Sequence, residues 1–206
     1  MAREGAAEGL WLRAERQTGG KGRRGRAWLS PPGNLYASTL IRLRPGDPPA
    51  PTLALVAAVA LHEAVCPHAP NVRIKWPNDL LVDGAKLAGI LLEREGDAVI
   101  AGFGVNLANH PDDIDRAATD LAGQVSPAAF LAGFAPVFAA WLARWRGEGL
   151  VSIRAAWLAA AHPVGTPLTS GEVTGMFDGL DESGALRLRL EDGSLRVVHA
   201  GDVFLL

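Results

Sequence analysis

The sequence predicts an α+β fold, and three observations carry that expectation. Two apolar runs flank Asp83-Gly84, a residue pair suited to a two-residue hairpin turn because both central positions tolerate positive φ. Two apolar stretches, 52–65 and the segment opening at Ser126-Pro127, are long enough for helices. Beyond Gly165 the pattern turns to short alternating segments broken by Asp178-Gly179, Ser183-Gly184, Asp192-Gly193 and Gly201-Asp202, the turn spacing of a small all-β unit.

Taken in order, residues 10–16 read as a short strand feeding a glycine-rich loop, and 34–41 alternate into a second strand after the Pro31-Pro32-Gly33 turn. The Ala, Leu and Val run of 52–65 is a buried helix ended by Pro67 and Pro70. Segments 72–75, 80–82, 86–93 and 98–105 are strands of one sheet. Ser126 caps a helix whose first turn holds Pro127 and which reaches about Arg146, and another helix covers 150–160 before His162-Pro163 stops it. Repeats and low-complexity tracts are absent.

With 206 residues, 49% of them hydrophobic and 20% charged, the chain supports one main core and a small second unit. The net charge of −2 makes any basic cluster local and argues against a nucleic-acid-binding face. A single cysteine, Cys66, allows no internal disulfide and reads as a core thiol. No apolar run of about eighteen residues and no signal pattern is present, so a cytoplasmic protein without a membrane partner is expected.

The densest chemical signal is the loop from Gly19 to Arg26, where four glycines alternate with Lys21, Arg23, Arg24 and Arg26. Glycines bring backbone N–H groups close to a ligand, and guanidinium groups supply permanent charge, so the loop suits a phosphate or carboxylate. A solvated basic loop or a nucleic-acid patch would read the same way locally. The second signal is the hairpin around Asp83-Gly84. Regular pairing sets Val82 opposite Ala85, Leu81 opposite Lys86 and Asp79 opposite Ala88, with the Asp79 carboxylate diagonal to the Lys86 ammonium. By itself that is an ordinary cross-strand ion pair.

The order of motifs, Gly-Lys-Gly-Arg-Arg-Gly-Arg-Ala-Trp (20–28), Lys-Trp-Pro-Asn-Asp-Leu (75–80), Lys-Leu-Ala-Gly-Ile-Leu (86–91) and Gly-Phe-Gly-Val-Asn (102–106), resembles the biotin protein ligases from about Gly9 to Leu206. The resemblance implies a class II aminoacyl-tRNA-synthetase-like catalytic domain with a mixed sheet over 1–163, then an SH3-like β-barrel over 164–206. It implies an enzyme that makes biotinyl-5'-AMP from biotin and ATP, with Mg²⁺, and passes the biotinyl group to a lysine of a biotin carboxyl carrier protein. Lys86, Arg23 and Asp79 are then the catalytic residues, Asp79 also holding Mg²⁺ or keeping Lys86 charged and oriented. Gln17, Gly20, Lys21, Gly22, Arg23, Lys86 and Gly89 would contact biotin. Arg23, Arg24, Arg26, Trp28, Asn78, Lys86 and Asn106 would contact the nucleotide, Trp28 by stacking on adenine. A homodimer is compatible with this reading.

Two departures from the family pattern stand out. Lys21 replaces the usual arginine, exchanging a planar fork for a point charge. A Ser-Thr pair expected upstream of the loop, where it would contact the biotin rings, does not occur between Met1 and the loop, and Ser38-Thr39 follows the loop. The expectation is therefore a short form without a DNA-binding domain, shortened at its start and weaker in biotin-ring contacts. The competing readings are a lipoate or octanoate transferase of the same superfamily, a non-catalytic biotin-binding remnant, and a nucleic-acid module built on 21–26. His62, His68, His110, His162 and His199 show no metal-ligand spacing.

Overall fold

The computed structural model describes residues 5–111 and 117–206. Six strands, β1 (Trp11–Ala14), β2 (Leu35–Arg42), β3 (Val72–Lys75), β4 (Asp79–Val82), β5 (Ala85–Glu95) and β6 (Ala98–Val105), form one sheet in the order β1-β2-β6-β5-β4-β3. Three helices pack on it: α1 (Leu53–Val65), α2 (Pro127–Glu148) and α3 (Leu150–Ala160). A second, five-stranded antiparallel sheet follows, with β7 (Pro167–Ser170), β8 (Val173–Leu180), β9 (Leu186–Arg189), β10 (Leu195–Val198) and β11 (Phe204–Leu205) in the order β10-β9-β8-β7-β11.

Helix α1 is apolar over most of its surface because most of it is enclosed: Leu53, Val56, Ala57, Ala58, Ala60, Leu61 and Val65 are essentially inaccessible. Helix α2 starts as its sequence requires, with Ser126 Oγ accepting from Ala129 N at 3.2 Å and Pro127 in the first turn. Its length and composition alone would let it cross a bilayer, contrary to the expectation from sequence. In the fold its row Phe130, Phe134, Phe138, Leu142 and Trp145 is buried, the work of a core helix. Phe134 and Phe138 meet Trp11 of β1 and Phe103 of β6 edge to face, tying the first edge strand to the helix layer.

The expected mixed sheet is antiparallel between all six named strands, and parallel pairing among the described residues is limited to the isolated bridges Ile74 with Ala161 and Lys86 with Ala118. The cause lies in the connections. Tight turns at Asp83-Gly84 and Gly96-Asp97 return the chain beside itself, whereas parallel neighbours need a long crossover. The one helical crossover within the sheet, α1, joins β2 to the far edge strand β3 rather than to a neighbour.

Arg146 near the end of α2 grips Glu8 with both terminal nitrogens at 2.8 Å, and Arg42 N and Arg44 also donate to that carboxylate. The Arg146 hydrogen bonds outweigh burial and, with Arg42 and Arg44, lower the Glu8 pKa to about 2. A lowered carboxylate pKa adds stability above the unfolded-state value near 4, which is lost as pH falls toward 2. Glu8→Gln should therefore destabilise the protein by about 1 kcal/mol or less at pH 7, since the site is partly solvated. Urea titrations should show the gap between variant and parent closing below about pH 3; a gap that persists there would sink this reading.

Candidate active site

Alternation along β3 and β4 sends Ile74 and Leu80 into the core and Lys75 and Asp79 to the opposite face. On that face lies a cavity of about 480 Å³ between the sheet, the glycine-rich segment and the residues just before β11. It is lined by Gln17, Gly20, Lys21, Gly22, Arg23, Arg26, Trp28, Asn78, Asp79, Lys86, Gly89 and Asn106, all but one of the residues singled out from sequence. The exception is Arg24, which is exposed outside the cavity lining.

The glycine-rich segment is a small hairpin. Lys21 bridges Ala27, Gly22 N donates to Arg26 O at 2.7 Å, and Trp28 N donates to Gly20 O at 2.9 Å. Gly20 cannot be larger: a Cβ there would sit 2.6 Å from Trp28 O and 2.7 Å from Gln17 Oε1. Gly20→Ala should push the two arms of the hairpin apart and weaken ATP binding by about tenfold, the scale of a modest overpacking strain. Calorimetry with a non-hydrolysable ATP analogue reads this directly, and unchanged affinity would show that the hairpin's closure does not matter. The Gly22 amide, expected to hold the ligand's oxygens, is committed to Arg26 O, so Gly22 serves the hairpin.

The hairpin β4–β5 departs from regular pairing. Leu81 opposes Lys86 and Val82 opposes Ala85 as expected, but a bulge between Leu80 and Leu81 moves Leu80 opposite Ala88 and Asp79 opposite Gly89, not Ala88. The extra residue lets Leu87 and Ala88 both enter the core while Lys86 and Gly89 face the cavity. Lys86 Nζ lies 2.7 Å from Asp79 Oδ1, and Lys75 Nζ lies 3.3 Å from Oδ2 and donates to Val203 O at 2.9 Å. Burial pushes the Asp79 pKa up, but Lys86 and then Lys75 outweigh it and hold the carboxyl below its usual range.

That arrangement does not suit Mg²⁺ at Asp79. A divalent ion needs several oxygens, whereas here a single buried carboxylate already faces two ammonium groups, and no cluster of three metal-ligating side chains occurs among the described residues. The Asp79 carboxylate is paired with Lys86 and Lys75 instead. The Asn78 amide is engaged within the protein: its Oδ1 accepts from Arg23 Nη1 at 3.1 Å and its Nδ2 donates to Ile90 O at 2.6 Å. Asn106 Nδ2 is likewise directed at Thr119 O and Lys86 O. Trp28 lies against Gly104 and Gly89, where a Cβ would come within 2.7 and 3.1 Å of its indole, and Lys86 Nζ sits 5.3 Å from the Trp28 ring centroid. Cys66, expected in the core, is only partly buried at its margin, and burial raises its pKa.

Four contributors escaped sequence reasoning. Lys75 lies inside a motif whose spacing to Asp79 gave the signal, but its role depends on the tight turn between them. Gly104 matters because it lets the indole approach the sheet. Ser38 lines the cavity although it follows the loop in sequence, whereas Thr39 turns away to donate to Leu10 O. Asp202, from the segment between β10 and β11, faces Arg23, Arg24 and Arg26 at 3.5, 3.7 and 3.0 Å.

Residues 5–107 match the Biotin/lipoate A/B protein ligase family, and residues 164–206 match the biotin protein ligase C terminal domain. A biotin--[acetyl-CoA-carboxylase] ligase of Paracoccus denitrificans is 41% identical over 97% of this chain and 92% of its own length. The chain belongs to the biotin protein ligases. Within that family, the bifunctional ligase/repressor BirA of Bacillus subtilis is 33% identical over 98% of this chain and 68% of its own length. Among solved structures, the Aquifex aeolicus biotin protein ligase in complex with biotin and ATP superposes with a TM-score of 0.87, at 26% identity, over 98% of this chain and 91% of that one. In this biotin ligase frame, the cavity with its three cationic sources, the hairpin arginines, Lys86 and Lys75, is suited to bring together two anions.

Proposed function

We propose that the chain activates biotin with ATP and transfers it to a lysine of a biotin carboxyl carrier protein. The observation that carries this reading is the convergence of Arg23 and Lys86 on one cavity, each oriented by a fixed partner, Asn78 and Asp79 respectively. In the first step the biotin carboxylate oxygen attacks the α-phosphorus, a P–O bond forms, and pyrophosphate leaves. In the second the acceptor amine attacks the acyl carbon, loses a proton, and AMP departs. Negative charge concentrates on the phosphoryl oxygens during the first step, so the gain comes from preplaced cations. Lys86 would bridge carboxylate and α-phosphate, with Arg23, Lys21 and the Gly20 amide on the hairpin side and Arg26 beside them. Gln17, Ser38 and the open surface of Gly89 would face the biotin rings, and Trp28 would meet the adenine. ATP would carry Mg²⁺, and no step here depends on a protein ligand for it.

In this reading residues 1–163 are the catalytic unit and 164–206 a C-terminal domain, and the reaction is cytoplasmic, where ATP and carboxylases are supplied. The test is to incubate the chain with biotin, ATP and an isolated carrier domain and follow acceptor mass. A biotinylated acceptor formed only with ATP is expected. Transfer of lipoate but not biotin would establish the superfamily alternative and overturn the proposal. Biotin binding without biotinyl-AMP formation would mark a non-catalytic remnant.

A further inference from the structure

We infer that Asp202 is a positioning residue for the nucleotide, holding Arg23, Arg24 and Arg26 in the arrangement that receives phosphate and making the segment between β10 and β11 part of the ATP site. The inference rests on the ligase reading above. Its geometry stands independently of that reading.

Three consecutive residues of the C-terminal segment address the cavity. Gly201 O accepts from Arg23 Nη2 at 2.8 Å, Asp202 faces all three guanidinium groups, and Val203 O accepts from Lys75 Nζ at 2.9 Å. Only the middle contact carries charge. One carboxylate against three guanidinium groups leaves the cluster cationic, so it fixes the arginines without cancelling their attraction for a polyphosphate. The neutral carbonyls on either side hold Arg23 and Lys75 without neutralising them.

The hairpin needs such an anchor. Four glycines impose little shape of their own, and three like charges within one short turn repel. Arg24 adopts a left-handed backbone, φ 57°, ψ 27°, which a non-glycine residue keeps only where its surroundings hold it, and Asp202 is the one ion-pair partner of Arg24 among the described residues. Arg23 is set from two directions, by Asn78 of the turn between β3 and β4 and by Gly201 of the segment between β10 and β11. With the Asp202 carboxylate gone, Arg24 and Arg26 lose their shared partner and the hairpin loses its outer support.

The experiment compares Asp202→Ala, Asp202→Asn and Asp202→Glu with the parent chain. In the ligand-free protein, trypsin should cut after Arg23, Arg24 or Arg26 at least about tenfold faster in Asp202→Ala and Asp202→Asn, since open backbone is what proteases take. In adenylation assays the KM for ATP should rise by about tenfold or more with kcat changed far less, the pattern of a lost binding arrangement. Asp202→Glu should recover part of both effects. Asp202→Asn keeps the size of the side chain and guards against a folding defect, which thermal melting would expose. Unchanged cleavage and KM would overturn the inference, and so would a lower KM, which would make Asp202 a competitor of phosphate. If the parent chain forms no adenylate, the ligase reading falls, while trypsin cleavage and calorimetry with a non-hydrolysable ATP analogue still decide the role of Asp202.

Discussion

Lys86→Ala should slow biotinyl-AMP formation by about 10²-fold or more while the protein remains folded. Lys86 sits one step before a bulge that turns its side chain to the cavity, its ammonium 2.7 Å from Asp79 Oδ1 and a quarter exposed. The bond to Asp79 fixes where the ammonium is before substrates arrive, so little reorganisation is needed when charge develops on the phosphoryl oxygens. Truncation removes that charge, yet it leaves Asp79 still paired with Lys75, so no unpaired buried carboxylate is created and stability should change little. Single-turnover adenylation with saturating ATP and biotin separates this from a binding defect: the chemical step should slow more than either affinity falls. Arginine at this position should not restore the rate, because a planar fork cannot occupy the site of a compact ammonium. An unchanged single-turnover rate would remove Lys86 from the mechanism.

Local signals were readable where the physics is local. The Asp83-Gly84 turn adopts positive φ at both residues, Ser126-Pro127 starts α2, and the bounds of β6 and α3 agree with their sequence patterns. The bulge was invisible because Leu80, Leu87 and Ala88 are all apolar and either register buries them. Asn78 carries the signature of a ligand contact, but only the tertiary approach of Arg23 shows that its oxygen is already taken. Asp202 is the extreme case. It reads as half of a Gly201-Asp202 turn, and its ionic partners lie far upstream, so no window of sequence contains both. Sheet direction was likewise a matter of connection lengths rather than strand composition, and the turns at Asp83-Gly84 and Gly96-Asp97 made the sheet antiparallel.

Asp79→Ala should destabilise the protein by about 3–5 kcal/mol, the usual loss when one partner of a buried ion pair is removed. The estimate follows from what would remain. Lys75, 8% exposed, would lose its bond to the Asp79 carboxylate, and Lys86 would lose its orienting partner. Taking a carboxylate away from a buried ammonium is the expensive element here. The same pairing sets a pH dependence. Because Lys86 and Lys75 hold the Asp79 pKa below its usual range despite burial, the contribution is present above the unfolded-state value near 4 and is lost as pH falls through the lower folded value. Denaturant unfolding of Asp79→Ala should thus show its full deficit at pH 7 and a smaller one in acid. Pairing it with Lys75→Met removes the ammonium that Asp79 faced, so the double variant should lose less than the sum of the two single variants, whereas a merely steric role for Asp79 would leave the two effects additive. Additivity, or a deficit that does not shrink in acid, would show that the buried carboxylate holds the site by shape rather than by charge.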